Sequence, residues 1–272
     1  MHEARLLEIR NLSVAFADAE QDILCLDRIS LDIRAGEILG LVGESGCGKS
    51  TLCRAILRSL RAPAYIAGGR IFWKGRDLFQ LDEEGLNKVR WREIALVVQS
   101  SLDALNPVMP VERQLVDAMR VHTDWTRTQE LTRCHELLDW VGLPRRVLKS
   151  YPFEMSGGMR QRVVIAMALA LEPQLLMMDE PTTALDVVTQ AEILGRLRDL
   201  QEKQGFSVIL VTHDLPLALD FCDSIAVMSG GRIVEMETAG ELAENPLHPY
   251  TVRLLQAFPR PDAERLSENP LR

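Results

Sequence analysis

Residues 43–50 read GESGCGKS, which fits the pattern G-x-x-x-x-G-K-[ST]. Glycines at these positions let backbone N–H groups wrap around phosphates, and a lysine offsets the charge of the outer phosphates. The candidate phosphate-binding set is therefore Gly43, Glu44, Ser45, Gly46, Cys47, Gly48, Lys49, Ser50 and Thr51, with Ser50 also placed to hold Mg²⁺. By average composition the pattern arises by chance in roughly one chain in a hundred of this length. Its setting, between an apolar run (ILGLV) and a helix-like stretch (KSTLCRAILRSL), leaves a plain glycine turn a weak rival.

A phosphate loop needs an acidic group on the metal side, and LLMMDE supplies one. Asp179 follows four apolar residues and would hold Mg²⁺ through water. Glu180 comes next, beyond the strand end where open α/β sheets bind ligands, and can polarise an attacking water as general base. The competing reading is that Asp-Glu-Pro caps the following helix. His213 ends the run SVILVTH and Gln99 ends IALVVQ, at the same sheet edge. His213 there contacts a γ-phosphate, and the Gln99 amide touches both metal and water. A structural histidine and a loop glutamine are the plainer alternatives. Phe16 closes the first strand-like run and either stacks on adenine or packs into the core.

A second stretch raises a question. SYPFEMSGGMRQR starts a helix that then turns apolar (VVIAMALAL), and it starts with Ser-Gly-Gly. Helix N-termini with small residues offer free amides and a positive dipole end to an anion. A chain with a complete phosphate loop has no obvious need of a second, partial one.

The elements that position these residues follow from periodicity. Residues 12–16 and 29–33 alternate as strands do, while residues 38–42, 94–98 and 175–179 are short apolar runs suited to buried parallel strands. Residues 207–212, 224–229 and 232–236 continue the strand pattern. The stretch between about 100 and 172 is instead helical, as in ELTRCHELLDWVGL. Strands alternating with helices imply a largely parallel sheet covered on both faces, here with a helical insert. The last 28 residues hold five prolines and read as a short helix and a loose tail.

Composition narrows the class. The chain of 272 residues is 47% hydrophobic and 26% charged, enough to bury a core. A net charge of -8 argues against a nucleic-acid binder. The longest apolar run, residues 163–171, falls far short of the ~20 residues of a membrane span. The charged N-terminus has no signal core, so the expectation is a cytosolic protein. Five cysteines with no C-x-x-C pair argue against a disulfide framework or zinc site and suggest small apolar packing groups. For Cys47 the alternatives are a thiol activated by Lys49 and the helix-start amides, or an unreactive small residue.

Taken together, GESGCGKS, Gln99, MSGGMRQR, LLMMDE, the ALD of residues 184–186 and His213, in that order, resemble the nucleotide-binding subunit of ATP-binding cassette (ABC) transporters. The resemblance spans about residues 6–258. It implies an α/β P-loop NTPase of RecA-like type, with a mostly parallel core sheet, an N-terminal antiparallel β subdomain and an inserted α-helical subdomain. The implied division is a catalytic core at 1–98 and 173–245, a helical subdomain at 99–172 and a tail at 246–272. It also answers the question of the second half-site. Such cassettes pair head to tail, so Ser156, Gly157, Gly158 and Gln161 would bind a nucleotide held by the phosphate loop of a partner, with Asp186 at the seam. ATP and Mg²⁺ are the implied ligands, and hydrolysis uses Glu180, His213 and Gln99.

Within that family VGESGCGKS, QSSLDALNPV, YPFEMSGGM, DEPTTALDVVTQ and NPLHPYTVRLL look like the peptide/nickel importer group. The resemblance implies a second ATPase subunit, usually a different chain though a homodimer fits too. It also implies two transmembrane permeases, an extracytoplasmic substrate-binding protein and a place on the cytoplasmic face of the inner membrane. Residues 100–115 are expected to meet the permease. Many members carry an iron–sulfur cluster on a longer tail; with no cysteine after Cys222, no iron–sulfur cluster is expected here. The short tail leans towards the nickel branch. The alternative is an ATPase of a non-transport complex such as a phosphonate carbon–phosphorus lyase.

Overall fold

The structure is a computed structural model and describes residues 5–99, 104–183 and 185–257. Two sheets organise it. The larger has six strands in the order β10-β9-β3-β8-β7-β6. These are β3 (Ile38–Val42), β6 (Ile94–Val97), β7 (Leu175–Asp179), β8 (Ser207–Thr212), β9 (Ser224–Ser229) and β10 (Arg232–Thr238). All neighbours in it are parallel except β10, which closes the edge antiparallel to β9.

Its central strands β3, β7 and β8 are buried at every residue, which is why their sequences are apolar throughout rather than alternating. The alternation of a strand still operates, but it now divides side chains between two cores. Ile38, Val42, Leu176, Met178, Val208 and Leu210 point to one. Leu39, Leu41, Leu175, Met177, Ile209 and Val211 point to the other.

The second core is roofed by an antiparallel sheet in the order β2-β1-β4-β5, formed by β1 (Arg5–Phe16), β2 (Ile23–Arg34), β4 (Ala64–Trp73) and β5 (Arg76–Asp77). Helix α1 (Lys49–Ile56) lies in the same core, contributing Leu52, Cys53, Ala55 and Ile56. It ends at Ile56, four residues short of the helix-like stretch read to Leu60. Strands β4 and β5 and the short helix α2 (Glu83–Val89) carry no pattern read in the sequence. β4 alternates only weakly along an exposed sheet, and α2 is two turns capped by Asp82.

The first core receives the helical insert: α3 (Val111–Arg120), α4 (Arg127–Trp140) and α5 (Gly157–Ala168). Helix α4 begins with a reciprocal Thr126–Gln129 capping box. The remaining helices are α6 (Val187–Gln204), α7 (Leu215–Phe221), α8 (Ala239–Glu244) and α9 (Pro249–Ala257), the last being the short helix expected near the C-terminus. The fold is thus the α/β, mostly parallel sheet with an antiparallel N-terminal sheet and helical insert that the sequence implies. Among the described residues no helix is long and apolar enough to cross a membrane. Cys53, Cys134 and Cys222 are buried thiols, and burial pushes Cys134 up to about 12.

Candidate functional site

The loop between β3 and α1 is shaped by glycines that admit no side chain. A Cβ on Gly43 would lie 2.2 Å from the Met228 carbonyl oxygen. Gly48, the residue before α1, has φ +106 and would press a Cβ to 2.6 Å from Leu26. The resulting loop curls around the ammonium of Lys49, which donates to the carbonyl oxygens of Gly43 (2.7 Å) and Glu44 (2.8 Å). Helix α1 has no side-chain cap at its N-terminus, so its leading amides look out from the loop as an anion site.

Across the loop, Ser50 Oγ donates to Asp179 Oδ1 at 2.9 Å. Asp179 is buried at the end of β7, and desolvation raises its pKa, with the neighbouring Glu180 adding to the effect. The hydrogen bond from Ser50 and the charges of Arg54 and Lys49 only partly oppose this. A buried carboxylate facing a hydroxyl, beside a lysine occupied by carbonyls, is short of positive charge. Its hard oxygens suit Mg²⁺.

Glu180 leaves the strand course. Its φ of +48 is left-handed, uncommon for a residue with a side chain, while its N–H still donates to Val211 O at 3.0 Å. The turn separates two consecutive carboxylates. Asp179 faces Ser50, and Glu180 faces Thr183 of its own turn and side chains from two other segments. Gln99 Nε2 donates to Glu180 Oε2 at 3.1 Å, and Thr183 Oγ1 donates to the same oxygen at 3.1 Å. His213 Nδ1 lies 3.4 Å from Oε1. The ends of β6, β7 and β8 therefore meet around one carboxylate, as the three apolar runs each closed by a polar residue imply. Thr183 was not singled out in the sequence; its signal is the helical-turn spacing from Glu180.

Phe16 is half-buried at the end of β1, in register with Ile23 and Ala64. Ile23, Leu24 and Tyr65 around that end are exposed large apolar groups. The same β2 strand brings Leu26 against Gly48, so this apolar rim borders the phosphate loop.

The Ser-Gly-Gly segment is built differently. Ser156 caps α5, its hydroxyl accepting from Met159 N at 3.3 Å, and it is exposed. Gly158 answers to the protein itself: a Cβ there would stand 2.5 Å from Thr189 Cγ2 on α6. Thr189 in turn donates to Asp186 at 2.7 Å from its hydroxyl and 2.9 Å from its amide. Those hydrogen bonds, from the amide first, hold the Asp186 carboxyl below the usual range. The starts of α5 and α6 are thus locked side by side, with Ser156 and Asp186 both outward. Ala184, in the expected ALD stretch, lies outside the described residues.

One expectation needs correction, and one open alternative narrows. Gln161 is 3% exposed. It shares the inward face of α5 with Gly158 and Ile165, one turn away on either side, so its side chain is buried within the protein rather than presented at the surface. For Cys47 the geometry favours the unreactive reading: burial raises its pKa against the opposing Lys49 charge, whose Nζ lies 3.8 Å from the sulfur.

Residues 100–103 of the segment expected to meet a permease lie outside the described residues. In the remainder, Gln114 ties the turn before α3 by accepting from Asn106 N and donating to the carbonyls of Asn106 and Met109. Val108 at its tip is 81% exposed. At the other end of α3, an open cleft of about 620 Å³ runs between it and α2, lined by Glu84, Lys88, Trp91, Arg92 and His122 among others.

Comparison with known proteins gives this geometry a context. A family model described as ABC transporter matches residues 26–183, and one described as oligopeptide/dipeptide transporter, C-terminal region, matches residues 234–271. The chain is 43% identical over 271 residues to the probable peptide ABC transporter ATP-binding protein y4tR of Sinorhizobium fredii, spanning 97% of this chain and 81% of that protein. It is 41% identical over 261 residues to the oligopeptide transport ATP-binding protein OppD of Escherichia coli, spanning 95% and 77%. Among solved structures, the dimeric post-hydrolysis state of the ATP-binding cassette MJ0796 bound to ADP and Pi superposes with a TM-score of 0.77 at 28% identity. That match covers 86% of this chain and 98% of the other.

Proposed function

Since this chain belongs to the ABC transporter ATP-binding family and is an ABC ATPase, we propose that it energises peptide import by closing on a second cassette around ATP. The observation that carries the reading is the gathering of Gln99, Thr183 and His213 on the Glu180 carboxylate, beside the Ser50–Asp179 pair.

In this reading the amides of residues 43–51 take the phosphates, and Lys49 exchanges its loop carbonyls for the outer ones. Phe16 and its apolar rim receive the adenine. Ser50 and Asp179 hold Mg²⁺, joined by the amide oxygen of Gln99, whose nitrogen already donates to Glu180. The cation would neutralise charge on the phosphates and remove the desolvation penalty at Asp179. Glu180 accepts the proton of the attacking water, and Gln99, Thr183 and His213 hold it in place for that task. The exposed Ser156 start of α5, with Gly157 and Gly158 behind it, supplies anion-binding amides to the nucleotide of the opposite cassette.

The peptide assignment rests on the names of the similar proteins and on the matched C-terminal region. The relatives reported above name peptides, so the nickel leaning drawn from the short tail has no support in them. The open cleft by α2 and α3, lined by Trp91 and Arg92 just before the strand β6 that leads to Gln99, is the site we assign to a cytoplasmic helix of the permease. In this reading the protein lies peripherally on the cytoplasmic face of the membrane, with a second, different ATPase subunit and two permeases.

Affinity purification of the tagged chain from gently solubilised membranes tests this. Two multi-span proteins and a second cassette are the expected company. Recovery solely with soluble enzymes would replace transport with a non-transport complex.

A further inference from the structure

One peptide unit of the phosphate loop is held from both sides. Its carbonyl, on Gly43, accepts from Lys49 Nζ at 2.7 Å. Its N–H, on Glu44, donates to the hydroxyl of Tyr250 at 3.1 Å. A peptide unit is planar and stiff, so a group that fixes the N–H also fixes where the carbonyl points. Here that carbonyl receives the ammonium of Lys49. Tyr250 comes from the other end of the chain, at the start of α9.

The placement of Tyr250 is itself built. Glu235, buried on β10, accepts from Leu247 N at 2.6 Å and from His248 N at 3.1 Å, which pins the turn before α9. His248 Nδ1 then accepts from Tyr250 N at 3.2 Å. The Tyr250 ring is 7% exposed and belongs to the first core, with the Arg253 guanidinium 5.9 Å from its centre. Phenylalanine would fill the same space. What the extra oxygen does is meet the loop amide; a buried tyrosine hydroxyl needs such a partner.

We propose that Tyr250 is a positioning residue of the nucleotide site, and that the C-terminal turn at 245–250 is a strut for the mouth of the phosphate loop. The inference rests on the reading of that loop as the ATP site. When nucleotide arrives, Lys49 must leave the Gly43 and Glu44 carbonyls for the phosphates. A loop braced only by the lysine would lose its shape at that moment. A loop braced by Tyr250 keeps its curl while the ammonium moves. The C-terminal region acquires a role at the nucleotide site without touching the nucleotide.

The test is Tyr250→Phe in the full chain, with calorimetric titration of ATP in the presence of Mg²⁺ and amide exchange by mass spectrometry. The affinity is expected to fall about fivefold to tenfold, the size of one net hydrogen bond. Faster exchange should be confined to peptides covering residues 43–51, with the melting temperature shifted by no more than about 2 °C. A folded Y250F protein with wild-type affinity and wild-type exchange in the loop overturns the proposal. Should Y250F fold poorly, Glu235→Ala releases the turn and leaves the hydroxyl in place. It should lower affinity in the same direction, and unchanged affinity in folded E235A protein also overturns the strut. Lys49→Ala separates the two levels. Loss of binding in K49A with none in Y250F removes only the strut, whereas retained binding in K49A removes the ATP-site reading beneath it.

Discussion

At the phosphate loop, Lys49, Ser50, Asp179 and Glu180 each have a hydrogen-bond partner inside the chain, and they sit in or against the sheet. At the start of α5, Ser156 and the nearby Asp186 are exposed, and what holds them is a lock between two helix starts through Gly158 and Thr189. The first region can bind a nucleotide with one chain. The second is rigid but unfinished: it has the amides of an anion site and no cation of its own in the Ser-Gly-Gly segment. In the proposed reading the difference divides the work of this ATPase: a single cassette binds nucleotide, and two together turn it over.

The comparison breaks most visibly at the proposed general base. Glu180→Gln keeps a hydrogen-bonding group facing Gln99 and Thr183 but removes the proton acceptor. ATP turnover by the assembled transporter should fall by about 10²–10⁴-fold, with nucleotide affinity of the isolated chain retained. Unchanged turnover would remove Glu180 from that role.

Ser156→Arg probes the unfinished half. It puts a bulky side chain on the exposed cap, so turnover should drop by about 10²-fold, in the range seen for losing a charge-stabilising donor. ATP affinity of the isolated chain should stay within about twofold, because in one chain this segment does not complete the loop's site. A matching loss of affinity in the isolated chain would mean that the two regions are not separate.

Gly158→Ala sharpens the claim about the lock. The added methyl meets Thr189 Cγ2, so the protein should lose about 1–3 kcal/mol in denaturant unfolding, the usual cost of overpacking. Thr189→Ser, which deletes that methyl and keeps the hydroxyl for Asp186, should recover most of the loss in a double-mutant cycle. If it does not, the glycine serves something other than this contact.

The smallest effect concerns pH. The Asp179 carboxyl is raised above its unfolded value by burial. The folded state therefore binds its proton more tightly, and the stability this group contributes is full below the ordinary aspartate range. That contribution is lost as pH rises through the raised value. Asp179→Asn should accordingly raise the nucleotide-free melting temperature at neutral pH by about 2 °C, the scale of one kcal/mol or less in a domain of this size. The gain should fade at low pH. Melting curves from acid to neutral pH check both parts, and the same variant should lose Mg²⁺-dependent ATP binding.

Much of the site was legible because its signals are local. Gly43 to Ser50 carries its chemistry in eight consecutive residues, and Asp179, Gln99 and His213 announce themselves as polar residues ending apolar strands. β4, β5 and α2 were not legible, since a strand on an exposed sheet and a two-turn helix leave weak periodicity. Gln161 misled for a related reason. Its motif neighbours say it belongs to the nucleotide, but its turn of the helix faces the core.

The sequence by itself determined the phosphate chemistry, the strands that carry it and the incompleteness of the Ser-Gly-Gly segment, because glycine spacing and apolar periodicity act over a few residues. Only the tertiary structure decided that Gly158 answers to Thr189, that Gln99, Thr183 and His213 converge on Glu180, and that Tyr250 reaches the Glu44 amide. Apart from Thr183, three residues beyond Glu180, these are contacts between distant segments, set by how the two cores pack and by buried polar groups that must find partners. No local pattern of residues encodes them.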